Sequence, residues 1–148
     1  MRLTLHADYG LRVLTYISLK SGQRCTIREI AEAYDISRNH LMKVVHQMQK
    51  LGYLDTVRGK GGGLALALPA EQIRLGELVS DLEPDLYIAE CFGPENNCII
   101  TPDCKLRGML KTALDAFIDS LNQHTLAELA RPGPRSQALR ATLRIATL

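Results

Sequence analysis

Three cysteines stand close together late in this 148-residue chain, Cys91, Cys98 and Cys104, with six and then five residues between them. A thiolate is a soft ligand for zinc and for iron–sulfur centres, and three on one stretch of about twenty residues can converge on one metal. Neither interval matches the C-x2-C of zinc ribbons or the runs typical of ferredoxins, so spacing alone names no particular metal. Gly93, Pro94 and Asn96-Asn97 allow the tight turns that convergence needs. Cys104 precedes a long helical pattern, where the helix dipole favours a thiolate. Three ligands leave a fourth position open or weakly held, which suits sensing better than structure. The fourth cysteine, Cys25, lies apart just before a predicted helix and reads as a buried structural residue.

A second set of residues could read a polyanion. Ser37-Arg38-Asn39-His40-Leu41-Met42-Lys43 opens a predicted helix, and its polar side presents Arg38, Asn39, His40 and Lys43. Arg can fork onto guanine, Asn onto adenine, His onto a base edge or a phosphate, and Lys onto a phosphate. The ordinary alternative is a solvated polar face. Further on, Arg58-Gly59-Lys60-Gly61-Gly62-Gly63 combines two cations with four glycines. Glycines such as Gly61 let the backbone approach a phosphate or a minor groove, with Arg58 and Lys60 supplying charge. A nucleotide-enzyme phosphate loop is excluded by context, because no Lys-Ser/Thr closes the motif and no helix follows.

These residues need elements to position them. Asp8 to Lys20 carries helical spacing in Leu11 and Leu14, with Asp8 at the favoured end of the dipole. Thr26-Ile27-Arg28-Glu29 is a capping box, starting a helix that runs to about Tyr34. After the turn Asp35-Ile36-Ser37, Ser37 caps a third helix, Arg38 to about Leu51, with Leu41, Val44, Val45 and Met48 inward and Gly52 closing it. Tyr53–Val57 and Leu64–Leu68 then alternate as the two strands of a hairpin. Three short helices and a hairpin make a winged helix-turn-helix, whose third helix would enter a major groove. The fold class is therefore mainly α with a small β-hairpin. A short helix at Arg74–Glu83 ends before Pro84. A long one beginning at Cys104 or Lys105 carries Leu106, Met109, Leu110, Ala113, Leu114, Phe117, Ile118 and Leu121 at helical spacing. That stripe is wide for so small a chain and predicts a dimerisation helix. Thr125-Leu126-Ala127-Glu128 is a second capping box, starting a short final helix. The tail beyond Arg131 is expected to be mostly flexible, with a weak helix at Gln137–Ile145.

Charge supports the same partition. The net charge of +2 hides ten Lys+Arg against five Asp+Glu in residues 1–69, four against eleven in 70–130, and four Arg with no acid in 131–148. We expect a DNA-binding domain at 1–69, a metal-binding loop with a dimerisation helix at 70–130, and a basic flexible tail at 131–148. There is no apolar run near 18 residues, and the first residues lack the apolar core of a signal peptide, so a cytoplasmic protein without a membrane span is expected. Trp is absent and aromatics are 5% of residues, which disfavours large apolar ligand pockets and aromatic stacking platforms.

Taken jointly, Asp8-Tyr9-Gly10-Leu11-Arg12, Ser37 to Val44, Val57 to Gly63, Leu82-Glu83-Pro84 and the three cysteines resemble the bacterial iron–sulfur winged-helix regulators. Within that IscR-like group they are most similar to the nitric-oxide-sensing repressors. The resemblance spans roughly residues 1–130. It implies a non-enzymatic homodimer that binds a double-stranded DNA operator in the bacterial cytoplasm. It also implies a 4Fe–4S or 2Fe–2S cluster in each subunit, and operator release when nitric oxide attacks that cluster. By position it assigns Cys91, Cys98 and Cys104 as cluster ligands, with Asp8 from the partner subunit completing the site. A carboxylate is a weak, exchangeable iron ligand and would leave one iron accessible to a diatomic gas. Arg12, one turn after Asp8, could neutralise cluster charge or pair with Asp8. IscR-type sites carry a histidine shortly after the third cysteine; here Lys105, Leu106 and Arg107 follow, and the next histidine is His124. The competing expectations are an iron–sulfur or iron-status regulator of the same group, a zinc-stabilised DNA-binding module, and a thiol-reactive protein using Cys104.

Overall fold

The computed structural model describes residues 2–57, 59 and 61–146; Arg58 and Lys60 of the glycine-rich turn lie outside the described residues. Helix α1 spans Leu5–Leu19, three residues earlier than its apolar spacing suggested. The reason is a local cap. The Thr4 hydroxyl accepts the Ala7 amide at 3.1 Å, which satisfies a free donor one turn ahead of the first periodic leucine. Helix α2 (Ile27–Tyr34) starts at the expected capping box, with Glu29 Oε2 accepting the Thr26 amide at 2.6 Å and Thr26 Oγ1 accepting the Glu29 amide at 3.1 Å. Asp35 ends it in a left-handed conformation (φ 52°). Helix α3 (Arg38–Lys50) follows. Ser37 occupies the cap position as expected, but its side chain makes no capping bond.

Strands β1 (Leu54–Val57) and β2 (Gly63–Leu66) pair antiparallel, Leu54 opposite Leu66 and Val57 opposite Gly63. The segment before α2 extends this hairpin. The Cys25 amide donates to the Leu64 carbonyl at 3.2 Å, and the Leu64 amide returns a bond at 2.7 Å. Gly63 is required there, because it sits at φ 149° and a Cβ would come within 2.7 Å of the Cys25 carbonyl.

Helix α4 (Leu75–Leu82) packs on α5 (Lys105–Asn122), with the cysteine-bearing stretch between them. Two single 3-10 turns, Glu90–Phe92 and Thr101–Asp103, shape that stretch. Helix α6 (Leu126–Ala130) lies against α1. At its start Glu128 Oε1 accepts the Thr125 amide at 3.2 Å, half of the predicted box. The core runs through all these elements: Leu14, Leu19, Ile30, Leu41, Met48, Ile73, Leu78, Leu82 and Leu126 are fully buried. Three short helices plus the hairpin form the winged helix-turn-helix that the hydrophobic spacing predicted.

The tail departs from expectation. Helix α7 (Pro134–Thr142) is continuous, and Leu143 and Ile145 after it are buried in the common core. Arg140 Nη2 donates to Ser21 Oγ at 2.8 Å. A basic, proline-broken composition argued for flexibility, but two apolar side chains are enough to dock the segment once a complementary hollow exists.

Candidate nucleic-acid interface and thiol loop

Helix α3 divides its two faces sharply. Leu41, Val44, Val45 and Met48 are buried, while Ser37, Arg38, Asn39, His40 and Lys43 are exposed. Burial of the apolar side fixes the rotation of the helix, so the polar side must face solvent along its N-terminal half. Met42, 52% exposed, lies among these polar residues and was not singled out from sequence. The hairpin is tied to the same helix, because Gln49 Nε2 donates to Thr56 Oγ1 at 2.6 Å. Gly61 is exposed at φ 80° in the turn. Helix α3 and the hairpin thus form one connected unit, with Arg38 and Lys43 exposed on the first half of the helix.

The N-terminal helix brings a group that the sequence only half disclosed. Arg12 Nη2 pairs with Asp8 Oδ2 at 2.7 Å, both side chains about four-tenths exposed. The Arg12 guanidinium also stands 5.8 Å from the Tyr9 ring and 5.9 Å from that of Tyr34. Tyr9 in turn lies 6.3 Å from His40 of α3. Of the two roles considered for Arg12, pairing with Asp8 is the one present within the chain. The sequence did not set Tyr9 and Tyr34 beside Arg12; the available signal for Tyr9 was its three-residue step to Arg12, which places the two on one helix face.

The three cysteines are all free and half-buried, each in its own local turn. Cys91 lies in the first 3-10 turn, where Arg107 Nε donates to its carbonyl at 3.1 Å and the guanidinium stands 5.9 Å from the Phe92 ring. Cys98 follows an Asn96 side chain that accepts its amide at 3.1 Å. Cys104 occupies the cap position of α5, as predicted, without a side-chain cap bond. Among the described residues, no three His, Cys, Asp or Glu side chains of one chain are gathered into a metal-holding group. The donor set itself, three free thiols on one loop, is of the kind that holds iron–sulfur clusters. Cys25 differs in kind. It is 1% exposed, and burial, reinforced by Glu29 and opposed by Lys20, pushes its thiol up to about 12. That makes it an inert packing residue, as its isolation in the sequence suggested.

Helix α5 meets α4 where Gly76 approaches Ile118 and Asn122, and Leu114 is its one buried residue; Leu106 and Met109 on its first turns are 60% and 66% exposed, as are Ile99 and Ile100 of the thiol loop at 93% and 60%. No described helix is long and apolar enough to cross a membrane.

A winged helix-turn-helix with an exposed basic reading helix and an appended thiol loop defines a DNA-binding transcription regulator. Residues 3–132 match the Rrf2 family model, described as an iron-dependent transcriptional regulator, and the chain belongs to that family. It is 44% identical to the HTH-type transcriptional regulator NsrR of Bacillus licheniformis over 131 residues, covering 87% of this chain and 92% of that protein. To NsrR of Bacillus subtilis it is 44% identical over 133 residues, covering 88% and 91%. Among solved structures, the oxidised form of Staphylococcus aureus CymR superposes with a TM-score of 0.71 at 28% identity, covering 90% of this chain and 98% of that one. T. potens IscR shares the fold, with a TM-score of 0.67 at 19% identity over 100% and 93%.

Proposed function

We propose that the chain is a homodimeric repressor whose iron–sulfur cluster senses nitric oxide and which leaves its operator when that cluster is nitrosylated or lost. The observation that carries this reading is the placing of three free thiols, Cys91, Cys98 and Cys104, between α4, which packs under the winged domain, and α5, whose first turns expose Leu106 and Met109. A change at that loop acts on both modules at once. The likeness to curated NsrR proteins at 44% identity supports the same assignment.

In this reading Cys91, Cys98 and Cys104 hold the cluster, and the partner subunit's Asp8 completes it. The cluster supplies an iron centre that reacts with a diatomic gas. The protein's own residues do the rest. Arg38, Asn39 and His40 read base edges, while Lys43, Arg58, Lys60 and the Gly61 backbone meet phosphates. Ser37 sits beside the backbone where the helix enters the groove. The apolar start of α5 holds two reading heads at a fixed spacing, so half-sites lie about one helical turn apart or a multiple of it.

The test compares three preparations of the full chain on one operator duplex selected from random sequence: anaerobically purified, cluster-depleted, and treated with nitric oxide. Tight binding by the first alone is expected, with a brown colour and visible absorption. Equal binding by all three would overturn the sensing reading. A colourless protein with stoichiometric zinc would overturn the cluster and leave a zinc-stabilised DNA reader.

A further inference from the structure

The outward face of α3 holds one large apolar residue. Leu41, Val44, Val45 and Met48 are buried, and at about 100° of turn per residue the side away from them carries Asn39, Met42, Lys43, His46 and Lys50. All of these are exposed. Asn39, Lys43, His46 and Lys50 are residues that meet base edges or phosphates by hydrogen bonds. Met42 is 52% exposed in their midst, one turn after Asn39 and one turn before His46. The buried side fixes the rotation of the helix, so the Met42 backbone cannot turn inward without turning a core residue out.

The major groove presents hydrogen-bonding groups on every base pair and one apolar group, the C5-methyl of thymine. A thioether makes no strong hydrogen bond, so among these neighbours the methyl is the group it matches. Methionine suits the contact because it is unbranched, long and polarisable. The rise of the helix sets its place. Asn39 to Met42 spans about 4.5 Å along the axis, against about 3.4 Å for each base step. With α3 along the groove, the methyl therefore lies one or two base pairs from the base that Asn39 meets. We propose that Met42 is a specificity-determining residue of α3, its side chain packing against the C5-methyl of one thymine in each half-site. The inference rests on the proposed reading of DNA by α3 and adds which base this residue selects.

The experiment uses the full-length protein, purified without oxygen, and the duplex selected from random sequence. Each thymine in turn is replaced by deoxyuridine, which removes only the C5-methyl, at the symmetry-related positions of both half-sites together. At one thymine the native protein is expected to lose about fifteenfold in affinity, near fourfold for each methyl group taken from an apolar contact. Met42→Ala, and Met42→Gln of similar length but polar, are expected to bind the unmodified duplex more weakly and to lose less than about twofold on that replacement. Comparing native and variant proteins on the same pair of duplexes cancels whatever deoxyuridine does to the DNA alone. If no thymine methyl matters to the native protein by more than twofold, or if the penalty persists in either variant, the inference is overturned while DNA binding stands. A selection that yields no bound duplex would overturn the DNA-reading function itself, and the inference with it. Circular dichroism and thermal melts of both variants are expected to match the native protein, because the side chain is exposed, so a lost penalty reports recognition and not folding.

Discussion

The Tyr53 hydroxyl donates to Asp81 Oδ2 at 2.6 Å, joining the base of the wing to the helix that leads into the thiol loop. The bond links the hairpin to α4, two elements from different parts of the chain, rather than building either one. Tyr53→Phe is expected to lower stability by about 1 kcal/mol, the net worth of a partly buried hydrogen bond. Urea denaturation with an unchanged m-value would check this, and Asp81→Asn should cost a similar amount.

Gly76 packs where α4 touches α5, and a Cβ there would stand 2.5 Å from both the Ile118 carbonyl and Asn122 Oδ1. Gly76→Ala must push backbone apart and is expected to cost about 2 kcal/mol. Gly10→Ala meets only the side-chain end of Leu82, also at 2.5 Å, and with no backbone to displace should cost less. Thermal unfolding of the two variants side by side would test the order; a costlier Gly10→Ala would contradict it.

Docking of the tail predicts a stability effect where composition alone predicts none. Leu143 is 4% exposed and Ile145 7%. Leu143→Ala is expected to lose about 2 to 3 kcal/mol, the lower part of the range for buried leucines. A denaturation midpoint indistinguishable from that of the native protein would show the tail undocked in solution.

Alkaline stability should be set first by Cys25. Its thiol is pushed from the usual 9.0 up to about 12, chiefly by burial. The folded chain thus holds this proton more tightly than the unfolded one. The associated stability is complete below pH 9 and is lost as pH rises from 9 toward 12. Tyr34, half-buried and raised from 10.0 to about 12, adds a second loss that starts one unit higher. Cys25→Ala is expected to move the onset of alkaline destabilisation from about pH 9 to about pH 10. With bound metal removed, iodoacetamide should modify Cys91, Cys98 and Cys104 quickly and Cys25 only on unfolding.

Removing wing charge should alter salt dependence rather than stability. Arg58→Ala combined with Lys60→Ala is expected to reduce the slope of log K against log salt by about 0.9 for each phosphate that is no longer neutralised. Sequence preference should stay nearly constant. A relaxed preference with an unchanged slope would place these residues on bases instead.

Much of this molecule was legible in one dimension because its signals are local. A capping box fixes the start of α2 whatever lies around it, since donor and acceptor are three residues apart. The apolar spacing of Leu41, Val44, Val45 and Met48 determines which side of α3 faces outward, and so exposes Arg38, Asn39, His40 and Lys43. Glycines between two alternating runs determine a hairpin. The three cysteines, through their resemblance to a known group, singled out the loop to which the proposed sensing is assigned.

Contacts between distant residues were decided by tertiary structure alone. Helix α4 has no side-chain cap of its own; Asn122, forty-five residues on, accepts the Glu77 amide at 2.9 Å. Nothing in the neighbourhood of Arg74 could disclose a cap supplied by another helix. The tail looked flexible because its composition is basic and broken by prolines, and only the hollow that receives Leu143 and Ile145 makes it ordered. Arg12 was read from sequence as a partner of Asp8 or of a cluster, but only folding set Tyr9 beside His40 and Arg12 near the Tyr34 ring. Local hydrogen bonds and periodicity can be read along the chain because their partners are neighbours in it; packing, remote caps and side-chain contacts between helices exist only once the core has brought separate helices together.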